Sequence, residues 1–123
     1  MEHTHSIIII KKDNKFINIY DNRWNMLLFP NIKGNNKNDI INYVKNTFCV
    51  NISEDNIKFL FDKVHEKYSI SHKENRIYHH YFYEVNSSDI VGDYYSLDEL
   101  LSYEKVKNNN SDIIGYIKNY YLK

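Results

Sequence analysis

A chain of 123 residues with 42% hydrophobic content supports a single core, so one domain spanning residues 1–123 is expected. Sixteen lysines and arginines balance 16 aspartates and glutamates to a formal net charge of +0. That balance speaks against a duplex-DNA or polyanion binder working by bulk charge, but not against a small anion held by a few local cations. The lone Cys49 rules out an intrachain disulfide, and the longest apolar run, Ile7 to Ile10, is strand-sized, far short of a membrane span. Met1-Glu2-His3-Thr4-His5 lacks the basic and apolar regions of a signal peptide, and residues 1–5 are expected to lie outside the ordered domain.

Ser6 to Lys11 and Lys15 to Tyr20 are β-branched runs joined by Lys12-Asp13-Asn14, a pattern that predicts a hairpin because Asp and Asn tolerate turn geometry. Trp24 to Phe29 is an apolar patch halted by Pro30, and Gly34-Asn35-Asn36 reads as a loop. Ile40, Ile41, Val44 and Phe48 then recur at the spacing of one helical face, with Asn36 or Asn38 placed to cap the first turn. Cys49, at the apolar end of this helix, reads as a small core residue.

Glu54 and Asp55 begin a turn, and Ile57 to Leu60 and Asp62 to Ile70 follow as extended chain. A second run, Arg76 to Val85, lies beyond Ser71-His72-Lys73-Glu74-Asn75, so the two form a long hairpin. Alternation puts Ile77, His79, Tyr81, Tyr83 and Val85 on one face of the second strand, and Tyr78, His80, Phe82 and Glu84 on the other. Apolar content on both faces predicts a strand covered on both sides. Ser96-x-x-Glu99 is a capping box opening a short helix, and Asn108-Asn109-Asn110 reads as a loop. Ser111 then caps a last helix with Ile113, Ile114, Ile117, Tyr120 and Tyr121 along one side, the two tyrosines also suiting self-association.

The order of hairpin, proline turn, glycine loop, amphipathic helix, long hairpin, S-L-x-E-L helix and closing helix resembles the Nudix family over nearly the whole chain. The resemblance implies an α+β fold, an α/β/α sandwich with a mixed central sheet, a degenerate box helix and a C-terminal helix. The family's box ends in R-E-x-x-E-E-x-G. Sliding it along this helix puts Asn42 and Tyr43 at Arg-Glu, Asn46 and Thr47 at the Glu-Glu pair, and Cys49 at the glycine. Nudix hydrolases hold Mg²⁺ or a similar hard cation with carboxylates, which neutralise the ion that positions water on a pyrophosphate. Amides and hydroxyls supply oxygen without charge, and Asp39 is the one acid on this helix, better read as a dipole-favourable surface residue. No catalytic residue, no metal and no cofactor is expected.

Leu28-Phe29-Pro30-Asn31-Ile32-Lys33, His65-x-Lys67-Tyr68-Ser69 and Tyr78-His79-His80-x-Phe82-Tyr83, taken with the missing acids, look like the SMODS-associated Nudix domain. That branch is non-catalytic and belongs to bacterial anti-phage systems of the CBASS type, usually as the sensor half of an effector whose other half is a pair of transmembrane helices. The resemblance implies a cyclic oligonucleotide ligand, most simply a cyclic dinucleotide, and a homo-oligomer that rearranges on binding it. It also implies a cytoplasmic domain, held at the cytosolic face of the inner membrane where such helices accompany it. A ligand of this kind needs aromatic planes interleaved with cations and hydroxyls. The hairpin offers Lys67, Tyr68, Ser69 and Ser71 on one strand, facing Arg76, Tyr78 and His80 on the other; Arg23, Trp24 and Lys33 flank the proline turn.

Each candidate has an ordinary alternative. Trp24 beside an apolar run is more often a core anchor than a base platform. His79 and His80 leave a strand on opposite faces, one packed and hydrogen-bonded, the other solvated. His3, His5, His65 and His72 show no ligand spacing, and Lys67 and Lys73 also suit solvated hairpin positions. Two further functions stay open: a divergent pyrophosphohydrolase using Asp39, Glu54, Asp55 or Glu66 as metal ligands, and an interaction domain whose tyrosine-rich surface binds protein.

Overall fold

Side chains alternate along the first strand so that His3, His5, Ile7 and Ile9 share one face while Thr4, Ser6 and Ile8 share the other, and a strand of that composition can be covered on both sides. The computed structural model describes residues 2–69 and 73–122, so Ser71 lies outside the described residues. Among them the strands run β1 (Glu2–Ile9), β2 (Lys11–Lys12), β3 (Lys15–Ile17), β4 (Ile19–Asp21), β5 (Met26–Leu28), β6 (Asn31–Lys33), β7 (Ile57–Ser69), β8 (Glu74–Val85) and β9 (Tyr94–Ser96). The helices are α1 (Lys37–Phe48), α2 (Leu97–Ser102) and α3 (Glu104–Tyr121). Two compact units result, Met1–Ile10 with Pro30–Val91, and Lys11–Phe29 with Gly92–Lys123.

The first unit is built on a four-stranded mixed sheet in the order β6-β1-β8-β7. β1 runs parallel to β8, from Glu2 opposite Ile77 to Ile9 opposite Glu84, and antiparallel to β6. β7 and β8 form the expected hairpin, with a bulge between Phe59 and Phe61. Ile7, Ile8, Ile9, Phe82 and Val85 are buried, and Phe61 stacks on Phe82 at 4.3 Å between centroids. α1 begins where Asn36 accepts from the backbone N–H groups of Asn38 and Asp39, and it buries Ile40 and Val44.

The second unit joins a three-stranded sheet, β2-β3-β9, a two-stranded pair, β4-β5, and helices α2 and α3. Phe16 packs against Phe29 at 6.1 Å and Tyr121 at 5.6 Å, and the Lys11 ammonium lies 5.4 Å from the Tyr121 ring. Ser96 caps α2 by accepting from the Glu99 N–H, as its position predicts.

Several expectations are corrected. Ser6 to Lys11 does not pair with Lys15 to Tyr20 as one long hairpin; only β2 and β3 do so, around Asp13 at φ 56°, because β1 is claimed by β8. Residues 2–5 are not outside the fold but pair with Ile77 to His80. Asn108 to Asn110 is not a loop, since α3 runs through it with a kink at Asn110 (φ −129°, ψ 15°), and buried Val106 on its near side ties that segment down. Ser111 therefore follows a kink inside a helix. Tyr121 is half-buried against Phe16.

Cys49 is exposed rather than core, and it stands in the left-handed region (φ 59°, ψ 35°) as the C-cap of α1. That conformation costs a residue with a Cβ about 1 kcal/mol that glycine escapes. Cys49→Gly is expected to raise unfolding free energy by up to about 1 kcal/mol, whereas Phe82→Ala lowers it by about 3–5 kcal/mol by emptying a stacked core position; urea denaturation of both variants checks the two signs.

Candidate functional site

Cross-strand partners in a sheet point to the same face, so the register lists what gathers there. On one face of the four-stranded sheet, His5 lies opposite Lys33 of β6 and opposite His80 of β8, while His3 lies opposite Tyr78. From β7 the same face receives Lys63 opposite His80, His65 opposite Tyr78 and Lys67 opposite Arg76. Of the residues singled out in the sequence, Lys33, Lys67, Arg76, Tyr78 and His80 are thus brought onto one surface. The backbone of Ser69 pairs with Glu74.

Tyr68 is not among them. It pairs with Asn75 on the opposite face, 60% exposed, because alternation forbids it from sharing a side with Lys67. Arg23 and Trp24 belong to the second unit, on a turn where the Asp21 carboxylate accepts from their backbone N–H groups at 2.8 and 3.2 Å. Loss of hydration alone would raise the Asp21 pKa, but these donors and the Arg23 guanidinium hold it below the ordinary value. Trp24 is a surface ring, 60% exposed, and not a core anchor; its carbonyl accepts from Lys105 Nζ at 3.0 Å.

Three residues of the face escaped sequence reasoning. His3, His5 and His65 lack linear ligand spacing, yet the register closes them around Tyr78 and His80. His65 Nε2 and His80 Nδ1 share a hydrogen bond at 2.8 Å, with the rings 4.9 Å apart. His3 lies 5.5 Å from Tyr78, His5 lies 6.0 Å from His80, and the Tyr78 and His80 rings are parallel within 3°. Period-two alternation in H-T-H-S-I is the one sequence signal for the first two; their partners become visible only with the parallel pairing. Arg76 is half-buried and bonded through Nε to Glu74 at 3.1 Å.

On the opposite face His79 Nε2 donates to the Asp62 carboxylate at 2.7 Å, and its ring stacks on Tyr81 at 4.2 Å. Both adjacent histidines are half-buried and hydrogen-bonded, so neither is the solvated partner expected of one of them. This face also anchors the loop before α1. Ser6 Oγ donates to the Gly34 carbonyl at 2.7 Å, Gly34 N–H donates to Thr4 at 2.9 Å from a backbone at φ 83°, and the Tyr83 hydroxyl donates to Asn35. Burial, then the neighbouring Tyr81, pushes the Tyr83 phenol above its ordinary pKa.

On α1, Asp39 is the single carboxylate, and Asn42, Asn46 and Thr47 are exposed. Tyr43 is half-buried, its phenol pushed up by burial and partly restored by a hydrogen bond with Thr47. Among the described residues, no three His, Cys, Asp or Glu side chains are grouped to hold a metal ion, and no helix is long and apolar enough to cross a membrane.

No protein-family model and no curated protein matches the sequence. Solved structures do. An Ap4A hydrolase of C. elegans superimposes with a TM-score of 0.59 at 8% identity, over 96% of each chain. A Nudix-family hydrolase of Clostridium perfringens gives 0.58 at 10% identity, over 97% of each. A NUDIX hydrolase from Nitrosomonas europaea gives 0.56 at 13% identity, over 99% of this chain and 89% of that one. The chain has the Nudix fold, α+β with a mixed sheet and a C-terminal helix; identities this low carry the fold and no activity.

His5 has the clearest electrostatic signature of the face. Burial, then His3, then Lys33 lower its pKa below 6.5, so the folded protein favours the neutral imidazole. The unfolded chain binds the proton more readily, so stability is fully present above about pH 6.5 and falls as the pH drops through that value toward the depressed folded pKa. Thermal midpoints recorded from pH 8 to pH 5 should decline on the acid side, and His5→Gln should flatten that part of the profile.

Proposed function

We propose that this chain is a nucleotide-binding domain that recognises a cyclic oligonucleotide, most simply a cyclic dinucleotide, without hydrolysing it. The observation that carries the reading is the face on which Tyr78 and His80 present parallel rings between Lys33 on one side and Lys67 and Arg76 on the other. Parallel planes suit stacked bases, and the flanking cations suit phosphodiesters. α1 supports the non-catalytic part, because a helix with Asp39 as its single acid offers no cluster of negative charge for the divalent ion that phosphate hydrolysis on this fold would need.

In this reading the ligand acts by favouring one self-associated arrangement over another, since binding shifts an equilibrium only through a difference in affinity between its states. The role is that of a sensor in bacterial anti-phage defence of the CBASS type, at the cytosolic face of a membrane when coupled to transmembrane helices. One specific observation favours a second reading: the solved structures of this fold named above are hydrolases, and a divergent pyrophosphohydrolase would use acids outside α1, such as Glu54, Asp55 or Glu66.

Calorimetric titration with a panel of cyclic di- and trinucleotides separates the two. Binding of at least one member is expected without loss of ligand in the presence of Mg²⁺, and Tyr78→Ala should weaken it by about 10- to 100-fold, the value of one lost stacking partner. No heat and no thermal shift with any member would sink the sensor reading, and Mg²⁺-dependent release of nucleoside monophosphate would replace it with the hydrolase.

A further inference from the structure

Stacking and phosphate contact leave most of the histidines on this face without a task. Three imidazoles, His3, His65 and His80, surround Tyr78, and a fourth, His5, lies against His80. The charged groups sharing the face are Lys33 on β6, Lys58, Lys63 and Lys67 on β7, and Glu74, Arg76 and Glu84 on β8. Glu74 is bonded to Arg76, and Glu84 stands at the far end, opposite Ile9. Every proton added to an imidazole here therefore meets mostly positive neighbours. An arriving anion reverses that field.

The hydrogen-bonding inventory shows where protons would go. His3 Nε2 and His5 Nδ1 are sealed from solvent and have no partner. A half-turn of either ring exchanges that nitrogen's position with a ring carbon's and needs no backbone shift. His65 and His80 share one proton through Nε2 and Nδ1. In the neutral pair one outer nitrogen carries the second proton, and a third on the other outer nitrogen makes a monocation with the bridge intact.

Resting on the nucleotide-binding reading above, we propose that these imidazoles make the face a proton-coupled anion receptor. A phosphate seated between Lys33 and His80 is bound together with protons taken up from solvent by His5 and by the His65–His80 pair, and its release returns them. No covalent bond changes. Burial, His3 and Lys33 lower the His5 pKa, and negative charge arriving beside it would raise that pKa again and favour uptake of a proton. By linkage the ligand then binds more tightly as pH falls.

The test is histidine titration of the full chain by imidazole nitrogen NMR, with and without sulfate at matched ionic strength, because sulfate keeps its charge across the range in which imidazole titrates. The midpoints of His5 and of His65 or His80 should rise by about one pH unit with sulfate. Lys33→Gln should raise the His5 midpoint without anion and shrink its response. In parallel, affinity for a cyclic dinucleotide, whose phosphodiesters also do not titrate here, should be roughly tenfold tighter at pH 6.0 than at pH 7.5. Midpoints unmoved by sulfate overturn the proposal, and so does nucleotide binding that ignores pH, although that second result leaves the nucleotide reading standing. Midpoints that move with sulfate while no nucleotide binds support the anion receptor and remove the nucleotide reading.

Discussion

The parallel register of β1 on β8 is the constraint on which the first unit depends. It sets Ile7 against Phe82 in the core and, on the same face toward the start of β1, sets His5 against His80 and His3 against Tyr78. A slip of one residue would turn every side chain of β1 to the other face, taking Ile7 away from Phe82 and scattering the histidines. Core and candidate site therefore obey one register. The buried isoleucines enforce the pairing, and the imidazoles are carried into place by it.

The same strand shows where sequence reasoning stops. The β7–β8 hairpin, the Asn36 cap and the buried line of α1, and the Ser96 cap of α2 were all legible because each is a local pattern. β1 had its nearest apparent partner in Lys15 to Tyr20, and local pairing is the natural default for two strands joined by a turn-forming segment. Its parallel partner is 75 positions away, reached through a crossover that parallel strands require and that no turn residue announces. Cys49 was misread for a different reason: a helix end is apolar by pattern, but the backbone leaves α1 through a left-handed residue that points away from the core. At Asn110 composition suggested a loop, and buried residues on both sides, Val106 and Ile113, held a kinked helix instead.

For the site, alternation carried the reading most of the way and then divided it. It placed Arg76, Tyr78 and His80 together, and by the same rule it separates Lys67 from Tyr68, which had been grouped by adjacency. His3, His5 and His65 were set aside because spacing was judged along the chain, where histidines on β1 and β7 look unrelated. Cross-strand neighbours have no sequence spacing, so a cluster of this kind is invisible until register is known.

The chain's formal neutrality conceals a sorting of charge that bears on what the fold can do. On a hydrolase helix, carboxylates recruit a metal, and the metal both neutralises the phosphate and activates water. Here α1 carries amides and hydroxyls around a single Asp39, while Lys33, Lys63, Lys67, Arg76 and four histidines lie on one sheet face. Side-chain cations can neutralise a phosphate, but an ammonium or guanidinium brings no coordinated water with a lowered pKa. In the reading proposed above, charge supplied in this way holds a phosphodiester without a metal-activated water to attack it. On the same reading, moving the positive charge from a bound metal to the protein's own side chains would separate recognition from hydrolysis, and would make the strength of recognition depend on how many imidazoles are charged.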